Sequence, residues 1–250
     1  MPINKPYYRT YRQLLDGSYA DSGNGRYVSD KKYAVAPTNY VRAFELIQKD
    51  FVSLLDYVEP CDDNLHSYSF RSHELILRAC VEFEANSKAI LKENGYSKSE
   101  RLDISDYHKL EKTHFLSQYK VKLPYWNGKK QVIAPFSDLK KSTDFSPYWY
   151  QAYNSIKHER VNELQKASLR NVVGAVAGLF VILSAQFGTD TPQAFGSIGL
   201  SIGDIDSEYS NGIGSYFGIS LPSRIPKKYR YDFTWSELAK QEEPFQKLFP

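Results

Sequence analysis

Between Asn171 and Thr189 the chain carries no charged residue, and from Val172 to Leu183 it is almost continuously apolar. A helix that is apolar on every side has to be covered all round, by protein or by lipid. Crossing a bilayer takes about 20 predominantly apolar residues, and this run is interrupted by Gly174, Gly178, Ser184 and Gln186. The expectation is a central helix of a cytoplasmic fold with no membrane partner. Gly174 and Gly178, four apart, leave a shallow seam that permits close helix packing.

The other helices follow from spacing. Phe44, Ile47, Phe51, Leu54, Leu55 and Val58 recur at three- and four-residue steps, which predicts a helix stopped before Pro60. Ile76, Ala79, Cys80, Phe83, Ser87 and Ile90 predict a second helix from about Ser69 to Leu91, with Asn94 and Gly95 as its stop. These two are expected to pack antiparallel. A shorter helix is expected from Asp106 to Tyr119. Another begins at Pro147, where Ser146 offers a cap and proline's missing N–H costs nothing, and runs almost continuously into the apolar helix.

Two stretches change period. Val121, Leu123 and Tyr125 alternate into Asn127-Gly128 and out through Val132 and Ile133, which predicts a hairpin at about 119–135, because both central residues of a type I′ turn need positive φ. Ile198, Leu200 and Ile202, then Phe217, Ile219 and Leu221 after a glycine-rich turn, predict a second hairpin, followed by an amphipathic segment from Thr234 to Phe249. Residues 1–37 show no sustained period and read as an irregular arm. The predicted fold is mainly α, a helical bundle over residues 38–190 with two small β-hairpin additions, the second in 191–250.

A net charge of +3 over 250 residues is too small a bias to announce nucleic acid by itself. Two clusters that interleave cations and rings, Tyr7 to Arg12 and Lys227 to Tyr231, would suit single-stranded nucleic acid but are also ordinary surface composition. The two cysteines, Cys61 and Cys80, match neither a zinc site nor a disulfide framework. His108 and His114 lack partners at ligand spacing, so no metal or cofactor is expected.

Chemistry concentrates in Tyr150 to Arg160. Asn154 and His158 are four apart, so a helix stacks them on one face, with Lys157 beside them. Amide, ammonium and imidazole in a row can hold a phosphate, and histidine is suited to proton transfer near neutral pH. Alternatively, Asn154 and His158 satisfy each other at a helix contact, with Lys157 and Arg160 solvated.

The segment Ser72 to Asn86, followed downstream by Tyr153 to His158 and an apolar final helix, resembles HEPN domains over roughly residues 39–188 less the hairpin. The resemblance implies a helical bundle, often a homodimer, with metal-independent ribonuclease activity in many members and roles in defence or toxin–antitoxin systems. The family's motif is an arginine, a polar residue, three variable residues and a histidine. Asn154 and His158 match the last two conserved positions, and Tyr153 stands where the arginine would be. Carried over, His158, Asn154 and Tyr153 form the catalytic set, Tyr153 as a substitute hydrogen-bond donor, and Lys157 and Arg160 contact RNA phosphate. The alternative is a catalytically inactive HEPN-like scaffold that binds a partner protein.

Overall fold

The computed structural model describes residues 2–100, 102–140, 146–189 and 209–249. The molecule is mainly α-helical around one hydrophobic core, with one small antiparallel sheet at its side.

Helix α1 (Pro37–Leu55) opens on proline, and α2 (Phe70–Glu93) is capped by Ser69, whose Oγ accepts the Ser72 N–H at 3.1 Å. Arg78 of α2 pairs with Asp50 of α1, while Leu75 and Arg71 face Leu54 and Tyr57 across one groove. Residue numbers rise on one helix as they fall on the other, so the pair is antiparallel, as its spacing predicts. The expected short helix is broken into α3 (Ile104–Tyr107), α4 (Lys109–His114) and a 3-10 turn at Leu116–Gln118.

The apolar run forms α7 (Leu169–Phe187), reached through α5 (Tyr148–His158) and the short α6 (Arg160–Glu163). It is long and apolar enough to cross a membrane, with a mean hydropathy of 1.5 over its best window, and 89% of that window is buried inside the protein. Phe180 stacks on Phe44 of α1 at 5.7 Å and leans on Phe217 at 5.3 Å, which ties the core together. The polar interruptions are satisfied internally: Ser184 Oγ donates to Phe180 O at 3.0 Å, and Gln186 Nε2 donates to Asn86 Oδ1 at 2.9 Å. The expected continuity of α5 and α7 does not hold, because Glu159 leaves helical geometry at φ −136° and ψ 54° and turns the chain.

The irregular segment 2–37 packs against the helices. Tyr11 N–H donates to Ala185 O at 2.9 Å and Tyr33 Oη donates to Gln186 O at 2.5 Å, meeting carbonyls that a helix C-terminus leaves without intrahelical partners. Tyr27 and Tyr33 are fully buried, and so is Arg9. The cluster from Tyr7 to Arg12 is therefore internal, since Arg9 and Arg12 are 0% and 3% exposed.

The hairpins meet in one sheet of order β2–β1–β4–β3, where β1 is Lys120–Lys122, β2 Val132–Ile133, β3 Ser210–Asn211 and β4 Gly218–Ser220. Val121 pairs with Ile133 on one side and with Ile219 on the other. The first half of the expected second hairpin, at Ile198 to Ile202, lies outside the described residues; β3 is the observed partner of β4. Asn127-Gly128 is not a two-residue turn either. It belongs to a loop that docks on Asp62, whose carboxylate accepts from Trp126 Nε1 at 2.8 Å and from the N–H groups of Lys129 and Lys130 at 2.8 and 3.1 Å. A Cβ on Gly128 would lie 2.5 Å from Asp62 Cγ, so the loop closes there only over glycine. Of the expected terminal amphipathic segment, Trp235–Leu238 forms a helix, α8.

Candidate functional site

Alternation of apolar and polar residues around α5 decides what it offers to solvent. Trp149, Tyr150, Ala152, Tyr153 and Ile156 turn inward. The Trp149 indole donates to Pro135 O at 3.0 Å and meets the Phe83 ring edge-on at 5.2 Å, while Tyr150 Oη donates to Glu84 Oε1 at 3.0 Å. These contacts fasten α5 to α2 and fix the orientation of its opposite face.

That face ends in cations. Asn154 is half-buried, and Lys157, His158 and Arg160 are exposed. Lys157 and His158 occupy the last turn of α5, where the carbonyl ends of the helix favour positive charge. Beyond the turn at Glu159, the Arg160 guanidinium lies 6.0 Å from the centre of the Phe70 ring in the first turn of α2. His73, one turn further along α2, is 8% exposed; burial, and then the nearby positive charge of Arg160, lower its pKa below the ordinary imidazole value. Among the described residues Lys157, His158 and Arg160 form no ion pair, and no hydrogen bond joins Asn154 to His158. The nearby carboxylates are otherwise engaged: Glu159 accepts from Asn162 Nδ2 at 2.7 Å, Glu163 pairs with Lys166, and Glu74 pairs with Arg71 at 3.0 Å.

Tyr153 does not belong with this exposed row. It is 2% exposed, its ring lies 5.4 Å from that of Tyr150, and Lys157 Nζ sits 5.1 Å from its ring centre. The expectation that it donates a hydrogen bond to a substrate is corrected: the position falls on the inward stripe of α5, one residue after Ala152 and one turn after Trp149. The corner thus brings together Lys157, His158 and Arg160, keeps Asn154 at their edge and removes Tyr153. It adds His73, which sequence reading missed because nothing in the local spacing links the start of α2 to the end of α5. Among the described residues no three His, Cys, Asp or Glu side chains are grouped to hold a metal ion. Comparison of the chain with protein-family models, with curated proteins and with solved structures finds no match.

Proposed function

We propose that the protein is a HEPN-like RNA-binding protein whose α5 corner contacts the phosphate backbone and whose His158 serves proton transfer in RNA cleavage. The observation that carries this reading is the exposed row of Lys157, His158 and Arg160, uncompensated by any ion pair among the described residues. Cations in that state gain from a phosphate without first giving up a carboxylate. His158 stands in the same row, where an exposed imidazole is within reach of a bound strand as a general acid or base. The family resemblance adds a homodimer, within a defence or toxin–antitoxin system, in which the corners of two copies would complete one site; the cytoplasmic location is the reading of the sequence. Any such seam lies away from α7, which its own chain covers.

The test is RNA binding and cleavage by two stably folded variants. Lys157→Ala with Arg160→Ala should weaken RNA binding, and His158→Ala should leave binding nearly intact while lowering cleavage about a hundredfold or more. Unchanged cleavage in the His158→Ala variant defeats the catalytic role. Light scattering that reports a monomer at micromolar concentration removes the two-copy site.

A second reading, a catalytically inactive scaffold that binds a partner protein, is favoured by one observation: the residue in the arginine position is built into the core. It expects no cleavage in the wild-type protein and no effect of His158→Ala.

A further inference from the structure

Away from the α5 corner, two grooves share a wall. The larger, of about 530 Å³, is lined by Lys120 on β1, Lys140 in the 3-10 turn Ser137–Lys140, and Arg224 after β4, with the hydroxyls of Ser137, Ser220 and Ser223 between them. The smaller, of about 250 Å³, is lined by Lys130 and Arg170 and by the rings of Trp126 and Tyr148. Ala134 and Ser137 line both, so the recesses adjoin across the segment that follows β2. All five cations are exposed, and no carboxylate lines either groove among the described residues. The acid that Lys140 does feel, Glu111, is held back by Ser117, whose N–H and Oγ donate to its two oxygens. Arg170 rests on the Tyr148 ring at 4.5 Å, and Trp126 is fixed by its bond to Asp62, so the walls are pre-positioned.

Two of the five cations feel an acid, Lys130 that of Asp62 and Lys140 that of Glu111, but both carboxylates are engaged by hydrogen bonds, Asp62 with Trp126 Nε1 and two backbone N–H groups and Glu111 with Ser117, so among the described residues the lining of the trough stays positive. Its chemistry selects the occupant. Ammonium and guanidinium groups alternating with hydroxyls match successive phosphate oxygens. Recesses of about 250 and 530 Å³ take in one strand, whereas a double helix would rest on their rims. We propose that the adjoining grooves form a track for the phosphodiester backbone of a single-stranded nucleic acid, reading charge and not sequence. The proposal stands on residues separate from the α5 corner and survives or fails independently of it.

The test is fluorescence anisotropy of the full chain with a labelled oligouridylate at several salt concentrations, with a matched RNA duplex and polyglutamate as competitors. Replacing Lys120, Lys140 and Arg224 together by Ala should weaken oligouridylate binding at least tenfold. It should also flatten the dependence of log affinity on log salt by about 2, since each lost contact with a single strand removes about 0.7 from the slope. Unfolding curves that overlay those of the wild type establish that the triple variant is folded; if it is not, the double change Lys130→Gln with Arg224→Gln is read the same way. Unchanged affinity in a folded groove variant overturns the track, whatever Lys157→Ala with Arg160→Ala does. Loss only in the latter supports the α5 corner alone, and loss only in the groove variant supports the track alone. Competition by the duplex or by polyglutamate as effective as by unlabelled oligouridylate also overturns it.

Discussion

Trp149 of α5 lies in the seam left by Gly178 of α7: a Cβ built on that glycine would stand 2.6 Å from the indole Cζ2. One turn earlier, Gly174 makes the same room for Tyr148, whose Oη would be 2.5 Å from a Cβ. The small-residue stripe of the apolar helix is therefore filled by its own chain, and it is unavailable to a second copy.

Gly178→Ala should destabilise the protein even though alanine favours helices over glycine by roughly 0.5–1 kcal/mol. The indole is rigid and buried on its other faces by Phe83 and Phe136, so the added methyl forces the two helices apart. Overpacking of this kind costs about 1–3 kcal/mol. Urea unfolding curves for wild type and variant decide it, and a gain in stability would show that α5 is looser against α7 than its contacts indicate.

Arg9 should be among the most sensitive positions outside the helices. Its side chain is fully buried, with Nε 2.8 Å from Glu93 Oε1, Nη1 donating to Gln186 Oε1 at 2.9 Å and Nη2 donating to Val35 O at 2.5 Å. Arg9→Met leaves Glu93 without its cation and two acceptors without a donor, which typically costs about 3–5 kcal/mol. Loss of a few tenths of a kcal/mol in the unfolding free energy would mean that water replaces the guanidinium easily.

Stability should fall on mild acidification. His114 is buried, and burial, opposed by its bond to Arg9 O and aided by the charge of Arg12, brings its pKa down from 6.5 to about 4. Nε2–H donates to Arg9 O at 3.0 Å and Nδ1 accepts from Thr113 Oγ1 at 2.8 Å, so the ring is held neutral. Because the folded pKa lies below the unfolded one, the contribution is complete above about pH 6.5 and is lost as pH falls through 4, for a total of about 3 kcal/mol at about 1.4 kcal/mol per pKa unit. His73, also lowered, adds to the same limb. The well-depressed carboxyl of Asp106, which burial alone would raise but which accepts hydrogen bonds from Tyr96 and Lys98, acts only at lower pH. Denaturation at pH 7.5, 5.5 and 4.5 should show the loss in wild type and a smaller one in His114→Gln.

Tyr153→Arg restores the residue type of the HEPN motif in a buried place. With the ring 2% exposed and packed on Tyr150, a guanidinium there is desolvated without a designed partner, and the variant should lose several kcal/mol of stability, about 3 or more. His158→Ala, at an exposed position, should change stability by less than about 0.5 kcal/mol. Thermal melts of the two variants separate a core position from a surface one, and equal melting temperatures would contradict the burial of Tyr153.

The sequence by itself determined α1, α2 and the central helix α7, with the inward faces of the first two. Spacing at three and four residues marks α1 and α2, Ser69 marks the start of α2, and an uncharged run marks the central helix, because these are properties of neighbouring residues under a fixed helical period. Alternation likewise located β1, β2 and β4. What it left open depends on partners far apart in the chain. Only the tertiary structure joined Val121 to Ile219 and so fused two hairpins into one sheet, bent the Asn127-Gly128 loop onto Asp62, and drew Tyr11, Tyr27, Tyr33 and Arg9 into the core. The same holds for the candidate sites. The row of Lys157 and His158 is legible because one helix carries it, whereas His73 reaches that corner, and Lys120, Lys140 and Arg224 reach one groove, through packing of elements whose contacts leave no periodic trace in the sequence.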